Sequence, residues 1–91
     1  MSEPYDIQLA AGAARVIQDK LPEGIATAVL EFITGSLIAA PRRVGEPLRR
    51  ELAGLYSARR GTFRVLYRID DAERLVTAVR VEHRADAYCR R

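Results

Sequence analysis

Arginines between Arg49 and Arg84 are the side chains of this chain whose type and spacing point to chemistry. Arg64 and Arg68 lie four residues apart, as do Arg80 and Arg84, and Arg59–Arg60 precede them. On an extended strand, residues two or four apart share a face, so each pair presents guanidinium groups to one surface. A guanidinium is planar, permanently charged and able to donate two parallel N–H bonds to a phosphate. An RNA backbone is therefore the first partner to consider. Cleavage of RNA by its own 2′-hydroxyl needs a base near that hydroxyl, charge stabilisation on the phosphorane, and a proton or hydrogen bond for the leaving oxygen. Arg64 and Arg84 suit the second need; Tyr88 and His83 are candidates for the others. The ring of Tyr88 also offers a surface on which an extruded base can stack.

Each candidate has a plainer reading. Arg64, flanked by Phe63 and Val65, also fits a solvent-facing strand residue. His83 at a strand end fits a packed or capping histidine. Tyr88 fits a tail anchor with a buried ring and a wet hydroxyl. Their combination carries the functional reading. Other chemistries find no support: one histidine and one cysteine, His83 and Cys89, cannot make a zinc site. The glycines are scattered and form no phosphate loop, and Asp70, Asp71 and Glu73 read as solvated turn formers. Cys89 reads as a tolerated surface thiol. No metal and no cofactor are expected.

The elements that must position these side chains follow from periodicity. Two β-runs, Thr62–Asp70 and Arg74–His83, are joined by the polar turn Asp70-Asp71-Ala72-Glu73. On the first, Phe63, Val65, Tyr67 and Ile69 should face a core, with Arg64 and Arg68 opposite. On the second, the same rule assigns Leu75, Thr77, Val79 and Val81 to the core, and Val76, Ala78, Arg80 and Glu82 to the arginine side. A short strand is expected at Tyr5–Leu9, a helix over Ala10–Lys20, and a second helix from Pro22 or Glu23 to about Leu37. Arg42–Leu48 is expected to be a surface loop, and Leu55–Arg60 a strand between Gly54 and Gly61. The order β-α-α-β-β-β predicts one α+β domain over residues 1–91, with two N-terminal helices on one face of a small antiparallel sheet.

Composition agrees with a small folded domain: 91 residues, 48% hydrophobic and 30% charged. Its charge is lopsided. Residues 1–41 hold two basic and five acidic side chains, a net of −3, whereas residues 42–91 hold thirteen arginines and seven acids, a net of +6. A polyanion-facing C-terminal half is the natural inference. No leader and no apolar run of membrane-spanning length is evident, so the cytoplasm is the expected compartment.

The run PLRRELAGLYSARRGTFRVLYRID followed by VRVEHRADAYCRR resembles the RelE family of toxins from bacterial type II toxin–antitoxin modules, within the RelE/ParE superfamily. The motifs that carry the likeness lie between Gly45 and Tyr88. The resemblance implies a metal-independent endoribonuclease that cuts mRNA in the ribosomal A site and is neutralised by a cognate RelB-type antitoxin in a hetero-oligomer. It matches Arg64 to the family's mid-strand catalytic arginine, Arg84 to the arginine ending the last strand, and Tyr88 to the tyrosine at the scissile nucleotide. Arg59 matches a supporting arginine, and Arg49, Arg60, Arg68 and Arg80 complete the expected RNA contacts. Some members carry lysines where this chain has Leu55 and Ser57, and relatives read Gly-Lys-Pro-Leu where it has Gly45-Glu46-Pro47-Leu48. Glu46 joins His83 as a candidate base, because a sister branch uses a carboxylate. Two other functions remain open within the resemblance: a ParE-type poison of DNA gyrase without nuclease activity, and a weakened toxin acting mainly in an antitoxin repressor complex.

Overall fold

A computed structural model describes residues 4–83. Strand β1 (Asp6–Leu9) enters α1 (Ala11–Arg15), which widens into a π-helical stretch (Val16–Lys20) and stops before Pro22, a residue with no N–H to continue it. Helix α2 (Glu23–Phe32) starts just after that proline and likewise continues as a π-helical stretch (Ile33–Leu37). Val29, Phe32, Ile33 and Leu37 recur at helical spacing and are the buried stripe of this segment. After α3 (Pro41–Val44) come β2 (Glu46–Pro47), a 3-10 turn (Arg50–Leu52), β3 (Tyr56–Arg60), β4 (Phe63–Asp70) and β5 (Leu75–His83).

Five strands form one sheet in the order β1-β5-β4-β3-β2. The helices pack on one face of it, with Ala13, Ile17 and the α2 stripe against Ala58, Phe63, Val65, Tyr67, Val76, Ala78 and Val81. Burying side chains of this size stabilises by roughly 1.5–3 kcal/mol each, so this layer is what holds the fold. The α+β class stands, with two corrections. The sheet is mixed, because β1 runs parallel to β5 while every other pairing is antiparallel. Alternation in Tyr5–Leu9 identifies a strand but carries no information on direction. Secondly, the expected loop at Arg42–Leu48 contains the end of α3 and all of β2. Pro41 at the first turn of α3 and the packing of Val44 on the core supply the order that a Pro- and Arg-rich composition hides.

The hairpins obey their turn chemistry. Gly61, at φ 61°, is the first of the two residues joining β3 to β4, the position where a tight hairpin prefers glycine. At the other end, Asp70 Oδ1 accepts a bond from the Glu73 N–H three residues on at 3.1 Å, which closes the β4–β5 connection.

One irregularity overturns half of the β5 assignment. Leu66 pairs with Arg80 but Tyr67 pairs with Ala78, so Val79 is an extra residue and the strand bulges. Before the bulge Val76 and Ala78 are buried; after it Val81 and His83 are. Leu75 and Thr77 therefore do not face the core as simple alternation requires, and Val76 and Ala78 do.

Candidate functional site

The face of the sheet away from the helices carries the arginines. Paired residues of neighbouring strands point to the same side. Arg59 of β3 pairs with Arg64 of β4, and Arg64 pairs with Glu82 of β5, giving one row across the sheet. The adjacent row runs Glu46, Ser57, Leu66 and Arg80. Phe63, Val65 and Tyr67 are buried on the other side, which fixes the outward direction of Arg64. The bulge matters here: it restores Arg80 and Glu82 to the arginine side after Val76 and Ala78 have faced the core.

Glu82 is at the centre. Its Oε1 accepts from Arg64 Nε at 3.1 Å and also from Arg64 Nη2, while its Oε2 lies 3.1 Å from Arg80 Nε. The side chains are 44% exposed at Arg64, 32% at Glu82 and 69% at Arg80. Half-exposed ion pairs contribute about 0–1 kcal/mol, so the trio does little for stability. Its consequence is geometric. Among the described residues, the Nη1/Nη2 edge of Arg64 and the Nη groups of Arg80 have no other partner beside Glu82. Arg59 has no ion pair or hydrogen bond among the described residues, and it is exposed. On this face Arg59, Arg64 and Arg80 outnumber the carboxylates Glu82 and Glu46, and the surplus positive charge suits a phosphodiester.

Not every expected site residue joins this face. His83 is on the helix side, 8% exposed, with Nε2 3.1 Å from Thr62 Oγ1. Its parity is opposite to that of Arg64 because its strand partner is the buried Phe63. Arg60 is also on the helix side, its guanidinium 4.6 Å from the centre of the Phe32 ring, a cation–π contact. Both are corrections to the expected constellation. Glu46 does share the arginine face by register; two strand spacings, roughly 10 Å, separate β2 from β4. Arg68 faces outward nearer the hairpin turn, opposite Thr77, and Arg49 is exposed just before the 3-10 turn. Arg84, Tyr88 and Cys89 lie outside the described residues. Among the described residues no three His, Cys, Asp or Glu side chains converge as metal ligands, and no helix is long and apolar enough to cross a membrane.

Sequence reasoning missed two groups. Glu82 was legible as an outward residue, but its sharing between Arg64 and Arg80 depends on cross-strand register. Asp71 was read as a solvated turn residue, yet it accepts from Arg42 Nη1 at 3.0 Å, from Arg42 Nη2 at 2.7 Å and from the Tyr5 hydroxyl at 2.6 Å. The Arg42 hydrogen bonds, then that of Tyr5, hold the Asp71 carboxyl down at about 2, and the same pairing keeps Arg42 more firmly protonated. Arg74 lies over the Tyr5 ring at 4.3 Å. Close by, the buried Tyr67 hydroxyl donates to the Pro41 carbonyl at 2.5 Å, and burial pushes that phenol up to about 12. A Cβ at Gly45 would lie 2.2 Å from the Tyr67 oxygen and 2.9 Å from the Ser57 carbonyl. Gly45 is thus required by space, since its own backbone is extended at φ −136°.

Comparison with known proteins bears on the family and the fold. The family described as "ParE toxin of type II toxin-antitoxin system, parDE" matches residues 10–88. The chain is 55% identical over 87 residues to Toxin RelG of Mycobacterium tuberculosis, covering 96% of this chain and 99% of that protein. Toxin RelE of the same organism is 47% identical over 85 residues, covering 93% and 87% respectively. A crystal structure of the toxin–antitoxin complex RelBE2 from Mycobacterium tuberculosis superposes with a TM-score of 0.87 at 54% identity, covering 90% of this chain and 100% of the matched one.

Proposed function

The chain belongs to the RelE/ParE family of type II toxin–antitoxin toxins, and on that premise we propose that it is a ribosome-dependent, metal-independent endoribonuclease that stops translation by cutting mRNA in the A site. The observation that carries this reading is the outward row Arg59, Arg64 and Glu82 with Arg80 beside it, a net cationic and solvent-open face. Arg64 and Arg84 stabilise the phosphorane as negative charge builds on its equatorial oxygens. The attacking 2′-oxygen bonds to phosphorus while the bond to the 5′-oxygen breaks, leaving a 2′,3′-cyclic phosphate and a free 5′-hydroxyl. Glu46, the candidate base that shares the arginine face, takes the proton from the 2′-hydroxyl. Tyr88 stacks on the scissile nucleotide or protonates the leaving oxygen. His83, turned toward the helices, has no part in these steps.

A cognate RelB-type antitoxin would neutralise the toxin by covering this basic surface with an acidic segment that folds on binding. Cytoplasmic action follows from a ribosomal target. Primer extension on programmed mRNA with 70S ribosomes is the direct test: wild type should leave a defined cleavage site, and Arg64→Ala should lower cleavage by about 100-fold or more. Intact mRNA with wild type, together with equal growth inhibition by wild type and Arg64→Ala, would overturn it. The ParE name of the matching family favours one second reading, a gyrase poison without nuclease chemistry. Loss of supercoiling by purified gyrase on adding the protein, with mRNA left whole, would select that alternative.

A further inference from the structure

We propose that Glu82 is a positioning residue, which rotates the Arg64 guanidinium so that its Nη1/Nη2 edge faces the scissile phosphate. The inference rests on the nuclease reading above and supplies what that reading lacks, a reason for Arg64 to be held in one orientation. Glu82 takes the Nε and Nη2 side of Arg64 with Oε1, directly across the strand pair. An arginine bound along that edge retains both Nη1 hydrogens and one Nη2 hydrogen, the end-on pair that grips two phosphate oxygens. Oε2 is engaged by Arg80 Nε at 3.1 Å, so the carboxylate itself cannot swing away without leaving a cation unpaired. The register that aligns Arg64 with Glu82 exists because Val79 bulges and resets the parity of β5.

A carboxylate on a phosphate-binding face is otherwise a liability, and that supplies a test of sign. On charge alone, removing Glu82 raises the positive potential and improves RNA binding. Positioning predicts something different: ground-state binding holds or tightens while the chemical step slows, since only the transition state needs the oriented edge.

The experiment compares wild type, Glu82→Ala, Glu82→Gln, Arg64→Ala and the Glu82→Ala/Arg64→Ala double variant on 70S-programmed mRNA, with thermal melting as the control for folding. Glu82→Ala should lose roughly 10- to 100-fold in turnover, with half-saturation unchanged or lower and an unshifted melt. Glu82→Gln, whose amide oxygen still accepts from Arg64, should recover part of the loss. In the Arg64→Ala background, Glu82→Ala should add nothing. Unchanged or faster turnover in Glu82→Ala, or full additivity with Arg64→Ala, overturns the proposal. Intact mRNA with wild type would count against the nuclease reading alone. Glu82 is then judged by NMR of the arginine side chains: slow guanidinium rotation at Arg64 in wild type that becomes fast in Glu82→Ala, with Arg59 unchanged, supports it. Equal rotation in the two proteins overturns it.

Discussion

At the turn end of the β4–β5 hairpin, Asp71 accepts both Nη groups of Arg42 and the Tyr5 hydroxyl; at the open end, Glu82 is divided between Arg64 and Arg80 with Arg59 alongside. Both ends place a carboxylate among arginines, yet the parts of the chain that the two carboxylates join differ. Asp71 takes Arg42 in a bidentate pair, with Arg74 also near enough to favour its charged form, and its bonds tie Tyr5, α3 and the turn together across 66 and 29 residues of sequence. Glu82 joins neighbours on adjacent strands that the sheet already holds, so its bonds contribute little to the fold and instead orient cations that remain partly free. The Arg42–Asp71 pair is itself 52% and 58% exposed and contributes little alone. The buried Tyr67–Pro41 bond and the tight packing at Gly45 lie beside it, however, so damage at the turn end should appear as lost stability, and damage at the open end as lost activity.

Gly45→Ala is the strongest test of the turn end. Its Cβ would run into the Tyr67 hydroxyl and the Ser57 carbonyl, forcing β2 or α3 to shift. Overpacking of this kind costs about 1–3 kcal/mol, to be read as a lower denaturation midpoint. Should Arg64→Ala lower that midpoint as far, the proposed division between the ends fails. Tyr67→Phe comes next, because it leaves the buried Pro41 carbonyl without its donor, a loss of about 1–3 kcal/mol by chemical denaturation. The raised Tyr67 pKa adds a direction: the unfolded phenol ionises first, so stability falls as pH rises from 10.0 toward about 12, and Tyr67→Phe should abolish that fall.

Asp71→Asn should have a smaller effect with a distinctive pH signature. The folded carboxyl sits near 2 against the usual 3.8, so its stabilisation is present above the usual value and disappears as pH falls through about 2. Melting curves of wild type and Asp71→Asn should be separated at neutral pH and converge in that acid window. A separation that persists at the acid limit would show that Asp71 acts through something other than its charge. Arg60→Ala should be the mildest: loss of the contact with Phe32 removes roughly 0.5 kcal/mol, and mRNA cleavage should stay at the wild-type level. A large fall in cleavage would return Arg60 to the RNA surface from which its parity excludes it.

How far the chain was legible depended on the range of the cause. The helices over residues 11–37, the hairpin and the outward direction of Arg64 and Arg68 were readable, because proline stops, turn residues and strand alternation act over a few neighbours. Alternation then misled within β5, where one unpaired residue, Val79, exchanges the faces of everything before it. His83 was misplaced for a different reason: its chemistry suggested a base, although the alternation that sends Phe63 and Val81 to the core sends His83 there as well.

Local pattern by itself determined that this is a two-helix α+β domain with a cationic half and arginines spaced for one face of a sheet. Tertiary structure alone decided which carboxylate meets which arginine, that β1 lies parallel to β5, and that Glu46 reaches the arginine side while Arg60 turns to the helix side. Backbone periodicity is a property of consecutive residues, whereas the partner of a charge depends on strand register and chain crossing, which only the whole packed core selects.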